Sequence, residues 1–145
     1  MNNSPDNPIY SHQIIIPETA VDPNGHVNNV MYVQWMQDIA LNHYDFIGGT
    51  DPTHALGATW VVREHKVEYL LPAFADEEIE IQTWVVNIRR VRSLRKYRFI
   101  RTCDNLVLVR GETDWVFVDS NTGQPRRIPE EIANLFRLVN DPEGY

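Results

Sequence analysis

The chain has one cysteine, Cys103, so no disulfide can close within it, and no activating partner stands beside that thiol in sequence. No apolar run approaches the ~20 residues needed to cross a bilayer. Residues 1–8 carry neither a basic nor an apolar signal region and read as a disordered lead. The expectation is therefore a cytoplasmic protein with no membrane insertion. Positive charge is also scarce: 13 Lys and Arg against 20 Asp and Glu give a net charge of −7. That balance argues against general nucleic-acid binding. No Gly-x-Ser-x-Gly elbow is present, which disfavours a serine hydrolase. The histidines His12, His26, His43, His54 and His65 show no metal-ligand spacing, so no metal is expected. Internal repeats, low-complexity tracts and dividing linkers are absent too.

What is present is a chain of 145 residues with 43% apolar and 23% charged residues, an ordinary composition for one globular domain. That domain is expected over residues 9–138, with a C-terminal tail at 139–145. Its organising stretch is residues 22–47. Asp22-Pro23-Asn24-Gly25 has the residue order of a type I turn. Asn28 or Asn29 can cap the helix that follows. From residue 29 to 47 the polar Gln34, Asp38, Asn42 and Asp45 fall on a narrow stripe, and most of this helix is expected to be buried. Gly48-Gly49 stops it.

Strand patterns surround the helix. Residues 9–16, 58–71, 76–91 and 94–102 precede a fifth run holding Val107, Val109, Thr113, Trp115 and Phe117. In the second run, one face is expected to carry Val61, Arg63, His65, Val67 and Tyr69, and the other Val62, Glu64, Lys66 and Glu68. Residues 50–57 read as a polar connection, and Pro129 opens a short helix to about Leu138. Strand, long helix, then four hairpin-linked strands predicts an α+β fold: an antiparallel sheet of about five strands wrapped around one central helix.

The turn has a chemical reading as well. The first N–H groups of a helix lack internal partners and sit at its positive end, where they can stabilise an oxyanion. Asp22 would be held beside that point. Taken alone, Asp22 could equally be a turn residue bonding nearby backbone N–H groups.

Asp22-x-x-Gly25-His26-Val27-Asn28-Asn29-x-x-Tyr32 before a long helix resembles the 4-hydroxybenzoyl-CoA thioesterase branch of the hotdog-fold acyl-CoA thioesterases. Val67-Glu68-Tyr69-Leu70-Leu71-Pro72-Ala73 and Thr113-Asp114-Trp115-Val116-Phe117-Val118-Asp119 are similar to two of the family's strands. The resemblance covers residues 9–136 and implies a hotdog fold and hydrolysis of an acyl-CoA or acyl-carrier-protein thioester, with no cofactor. It implies that Asp22 attacks the thioester carbonyl or activates a water, and that the backbone N–H of Asn29 holds the carbonyl oxygen. Gly25 would permit a positive φ or close approach of substrate. His26 would orient Asp22 or substrate, or merely pack at the turn. His65 would face the central helix as a satisfied buried histidine or touch substrate.

A basic cluster stands out in this acidic chain. Arg89, Arg90, Arg92, Arg95, Lys96, Arg98 and Arg101 place seven of its 13 basic residues within 13 positions. Arginine forks bind phosphate well. Relatives hold nucleotide phosphates with basic residues before a serine on this hairpin, and Arg90, Arg92 and Ser93 match that pattern. The cluster could also grip an acyl carrier protein, or be a solvated strand face. The fold implies a homodimer or homotetramer. A hotdog acyl dehydratase, a non-catalytic acyl-CoA-binding protein and nucleic-acid binding through the arginine hairpin are the alternatives.

Overall fold

A computed structural model of the chain describes residues 3–142 and 145. Five strands form one antiparallel sheet: β1 (Tyr10–Ile15), β2 (Ala58–Tyr69), β3 (Glu78–Arg89), β4 (Arg92–Arg101) and β5 (Leu106–Asp119). Their spatial order is β1-β3-β4-β5-β2, which leaves β1 and β2 at the edges. The long helix α1 (Asn29–Phe46) lies on one face of this sheet, and α2 (Thr50–Ala55) and α3 (Glu130–Ala133) are short. This is the expected hotdog architecture.

The helix is seated by spacing. Tyr32, Met36, Ile39, Ala40 and His43 recur on one face and are buried. They meet Tyr97 and Phe99 of β4 and Ile79 and Ile81 of β3, among the core residues. Gly111 of β5 allows the closest approach, because a Cβ there would lie 2.8 Å from Met36 Sδ. The hairpin between β3 and β4 turns at Arg90 (φ 27°), and the one between β4 and β5 at Asn105 (φ 58°).

Five sequence expectations change. Only one stripe of α1 is covered, because a single sheet reaches one side of a cylinder: Val30 is 70% exposed and Leu41 61%. A bulge between Val62 and Glu64 breaks the alternation of β2. Trp60 and Val62 therefore pair with Phe117 and Trp115, while His65, Val67 and Tyr69 pair with Thr113, Gly111 and Val109 on the helix side. Val61 and Arg63 do not share that face. Residues 50–57 contain a helical turn rather than a plain connection, and the last helix ends at Ala133 instead of near Leu138.

The fifth change is at the termini. The disordered lead expected over residues 1–8 is, in its described part, tied to β1. Asn3 exchanges two hydrogen bonds with the Ser11 backbone, at 2.7 and 2.8 Å, and Asp6 pairs with Arg137 at 3.2 Å. Met1 and Asn2 lie outside the described residues. The tail folds onto the outer sheet face: Val139 N–H donates to the Val85 carbonyl, Asp141 pairs with Lys96 at 2.7 Å, and Tyr145 sits edge-on to Trp84. Glu143 and Gly144 lie outside the described residues.

Candidate active site

The loop ahead of α1 is built by short-range bonds. An antiparallel bridge joins Val21 to Val27 and closes the loop. Asp22 N–H donates to the His26 carbonyl at 2.8 Å, and Gly25 N–H donates to the Asp22 carbonyl at 2.9 Å. The second bond spans the expected four-residue turn, and Gly25 takes the positive φ expected of it, 85°. Asp22 Oδ1 accepts from Asn24 N–H at 2.9 Å, so one carboxylate oxygen fixes the turn. Its other oxygen has no protein partner among the described residues. Val27 N–H donates to the Ala73 carbonyl, which anchors the loop beyond the end of β2.

The start of α1 sorts its own N–H groups. Asn28 is the N-cap, and its side chain accepts from Val30 N–H at 3.0 Å. Met31 N–H donates to the Asn28 carbonyl at 2.9 Å. Among the described residues, Asn29 N–H has no acceptor. The first helical residue thus presents a free donor at the positive end of an 18-residue helix.

Asp22 and Asn29 line one open cleft of about 470 Å³, whose other walls include Asn24, His26, Tyr32 and Tyr69. Burial pushes the Tyr32 hydroxyl up to about 12 and also raises Tyr69, so both remain protonated donors at neutral pH. Tyr69 hydroxyl donates to the Asn29 carbonyl at 3.3 Å, tying β2 to the helix start. The His26 ring makes no hydrogen bond to Asp22; it packs edge-on against Phe74 at 5.4 Å. Asn24, Tyr32 and Tyr69 were not singled out in the sequence as site residues. A signal was available for each: Asn24 stands two residues after Asp22 within the turn, Tyr32 closes the motif that begins at Asp22, and Tyr69 lies in the matched strand.

His65 is a satisfied histidine. Its Nε2 accepts from Gln37 Nε2 of α1 at 3.2 Å, and its Nδ1 pairs with Thr113 Oγ1 at 2.8 Å. Burial lowers its pKa, which keeps the ring neutral. It does not touch Asp22.

The hairpin residues stand apart from the cleft within one chain. Arg92 faces Val116, which in turn faces Val61, whereas the cleft is at Tyr69. Eight residues of strand separate those levels, roughly 26 Å at ~3.3 Å each. Ser93 is buried and donates to the Asn87 carbonyl at 3.0 Å. Arg92 pairs with Asp114 at 2.8 Å, a carboxylate it shares with Arg63. Arg89 and Arg90 are exposed with no ion pair among the described residues. The basic cluster is not one patch, because strand alternation divides it. Arg95 turns into the core, Lys96 and Arg98 turn outward beneath the tail, and Arg101 pairs with Asp104 and Glu77.

The profile of the thioesterase-like superfamily matches residues 17–136. Oleoyl-acyl carrier protein thioesterase 2 of Arabidopsis thaliana is 23% identical over 142 residues, which is 92% of this chain but 38% of that protein. The chain thus spans less than half the length of this plant relative. The acyl-CoA thioester hydrolase YbgC of Escherichia coli is 29% identical over 112 residues, covering 77% of this chain and 81% of that one. A crystal structure of an acyl-ACP thioesterase from Bacteroides thetaiotaomicron superposes with a TM-score of 0.82 at 21% identity, over 97% of this chain and 60% of that one. At that identity the superposition establishes the fold.

Proposed function

Because the chain belongs to the thioesterase-like superfamily, we propose that it hydrolyses an acyl thioester at the cleft between Asp22 and the start of α1. The observation that carries this reading is that Asp22, with one carboxylate oxygen unbonded, and Asn29, with an unbonded N–H, line one cleft among the described residues. A thioester carbonyl seated there would accept from Asn29 N–H. As charge develops on that oxygen, a preorganised donor at a helix end contributes roughly 2.7–4 kcal/mol of transition-state stabilisation. Asp22 takes a proton from water, and the hydroxide adds to the carbonyl carbon. The tetrahedral oxyanion then collapses, the carbon–sulfur bond breaks, and the departing thiolate recovers the proton from Asp22. Direct attack by Asp22 is the second route: an anhydride forms, thiolate leaves, and water cleaves the anhydride. Single-turnover hydrolysis in ¹⁸O-labelled water tests the second route, because water attack on the anhydride at the Asp22 carbon leaves label in Asp22, which the first route cannot do.

The substrate is an acyl-CoA, with an acyl carrier protein as the other carrier that relatives use. We infer that two chains complete each site. β2 is an edge strand; Val61 and Tyr69 on it, and Leu70 and Leu71 just beyond its end, are each about 40% exposed, and α1 exposes Val30 and Leu41. Such an edge and apolar face call for a partner. A two-fold axis near the middle of β2 would set the Tyr69 end of one strand beside the Trp60 end of the other. The partner subunit's β3–β4 hairpin would then approach this chain's cleft, where Arg90 and Arg92 would hold the nucleotide phosphates. We place the protein in the cytoplasm, where its single exposed thiol, Cys103, stays reduced.

The test is thiol release across a panel of acyl-CoA substrates by the wild type and by Asp22→Asn. The variant keeps the turn bond to Asn24 N–H but removes the charge. Its kcat should fall by ~10²–10⁴, the range for loss of a general base. A folded Asp22→Asn protein with wild-type turnover would remove Asp22 from the mechanism.

A further inference from the structure

A second pocket lies away from the Asp22 cleft, against the C-terminal half of α1. Its walls are Tyr44 of α1, Trp60 of β2, Ser93 and Arg95 of β4, Trp115 of β5, and Phe136. Its volume is about 40 Å³, and one water-sized sphere takes about 10–15 Å³. That leaves room for roughly three such spheres, the size of a carboxylate group.

Arg95 is the one charged side chain in these walls, and the Ser93 and Tyr44 hydroxyls already bond the Asn87 carbonyl and Thr53 Oγ1. Arg95 is 4% exposed, and its Nη1 donates to His43 Nδ1 at 2.8 Å and to Thr83 Oγ1 at 3.1 Å. Both acceptors are neutral; burial and the Arg95 charge hold His43 down at about 3. Among the described residues no carboxylate pairs with this guanidinium. Trp60 Nε1 and Trp115 Nε1 are buried without a partner. The Tyr97 hydroxyl, beside Thr113 and Trp115, also lacks a hydrogen bond of good geometry. A buried charge is normally paired, and a buried donor normally has an acceptor. His43 stands in the last turn of α1, so the negative end of the helix dipole eases the Arg95 charge. A partial charge does not neutralise it, and it gives the two indole N–H groups no acceptor.

We propose that this pocket binds a carboxylate carried at the far end of the substrate's acyl group, making the chain selective for ω-carboxyacyl thioesters. The proposal rests on the thioesterase reading above. Arg95 is the specificity residue: its remaining N–H groups meet the carboxylate oxygens. Tyr44, Trp60 and Phe136 form the aromatic wall around the acyl stem, with Tyr44 and Phe136 stacked at 5.7 Å and Trp60 edge-on to Tyr44 at 6.0 Å. A methyl-ended chain would leave the cation buried without a counter-charge, which is where discrimination comes from.

The experiment compares matched acyl-CoA pairs, ω-carboxy against methyl-ended, over several chain lengths. Binding is followed by tryptophan fluorescence and hydrolysis by thiol release, on the intact chain. At the preferred length the wild type should favour the carboxylate at least tenfold in Kd and in kcat/KM. Arg95→Met should reduce that preference to below twofold. Equal binding of both members at every length, or an Arg95→Met protein that keeps the preference, overturns the proposal. If Arg95→Met does not fold, the wild-type comparison decides it. Saturable binding of free carboxylates without preference among the acyl-CoA pairs would assign the pocket to a separate ligand and overturn the acyl assignment. Selective, Arg95-dependent binding without hydrolysis of any thioester would leave this inference standing and remove the hydrolase reading.

Discussion

Acidification from pH 7 to pH 5 should destabilise this fold chiefly through His43. The ring is buried, stacks on Tyr10 at a centroid distance of 5.0 Å, and accepts a hydrogen bond from Arg95 at 2.8 Å. Protonation would remove the acceptor and set a second cation against the guanidinium. The folded-state pKa is accordingly lowered from 6.5 to about 3, first by burial and then by Arg95. Between those two values the unfolded chain binds the proton and the folded chain does not, so stability rises with pH. The contribution is fully present above pH 6.5, declines as pH falls, and stops declining near pH 3. One pKa unit corresponds to ~1.4 kcal/mol, so the loss between pH 7 and pH 5 is ~2 kcal/mol. The control is His43→Asn, whose amide oxygen can accept from Arg95 but does not titrate. Loss of the ring on Tyr10 should make the variant less stable at pH 7 by ~1 kcal/mol. Urea unfolding of both proteins at pH 7 and pH 5, at one protein concentration, gives the difference of differences. Other titrating groups, His65 included, cancel in it. The wild type should lose ~2 kcal/mol more than the variant. Parallel losses, within about 0.5 kcal/mol, would mean that His43 is not held neutral and that the Arg95 contact is not as described.

Asn29→Pro deletes the one free N–H at the helix start while keeping a residue suited to the first helical position. Asn28 already has ψ 132°, which a following proline tolerates. Thiol release should drop at least ~10²-fold with a melting temperature close to wild type, and unchanged turnover would remove the backbone donor from the mechanism. Changing both Arg90 and Arg92 to Ala should raise KM for acyl-CoA and leave KM for the acyl-pantetheine, which lacks the nucleotide, nearly as it was. Equal effects on the two substrates would rule out nucleotide binding at the hairpin. Sedimentation at micromolar concentration should show a dimer or a dimer of dimers, and an active monomer would refute the two-chain site. A charge placed at Val61→Lys on the exposed edge strand should shift that equilibrium toward monomer and reduce activity in parallel.

The proposed catalytic end of this protein is written in consecutive residues. Turn, cap and helix start follow from Asp22, Gly25, Asn28 and Asn29 because the bonds that shape them span eight residues or fewer, apart from the anchors to Ala73 and Tyr69. Local chemistry of that kind is legible without a fold. The strand count and the single long helix were legible for the same reason, since their periodicity is local. The facing of side chains was not. A bulge after Val62 reassigned half of β2, and no residue type there announces it. The arginine run shows the limit most plainly. Seven basic residues look like one cluster in sequence, yet a strand sends neighbours to opposite faces. Arg95 thereby becomes a buried cation beside His43, 52 residues away, while Arg92 meets Asp114 on the surface. Composition and spacing determined which chemistry the chain possesses. Only the packing of α1 across β4 and β5 decided where that charge is held, because the partners that desolvate it come from strands and helices whose meeting no local pattern specifies.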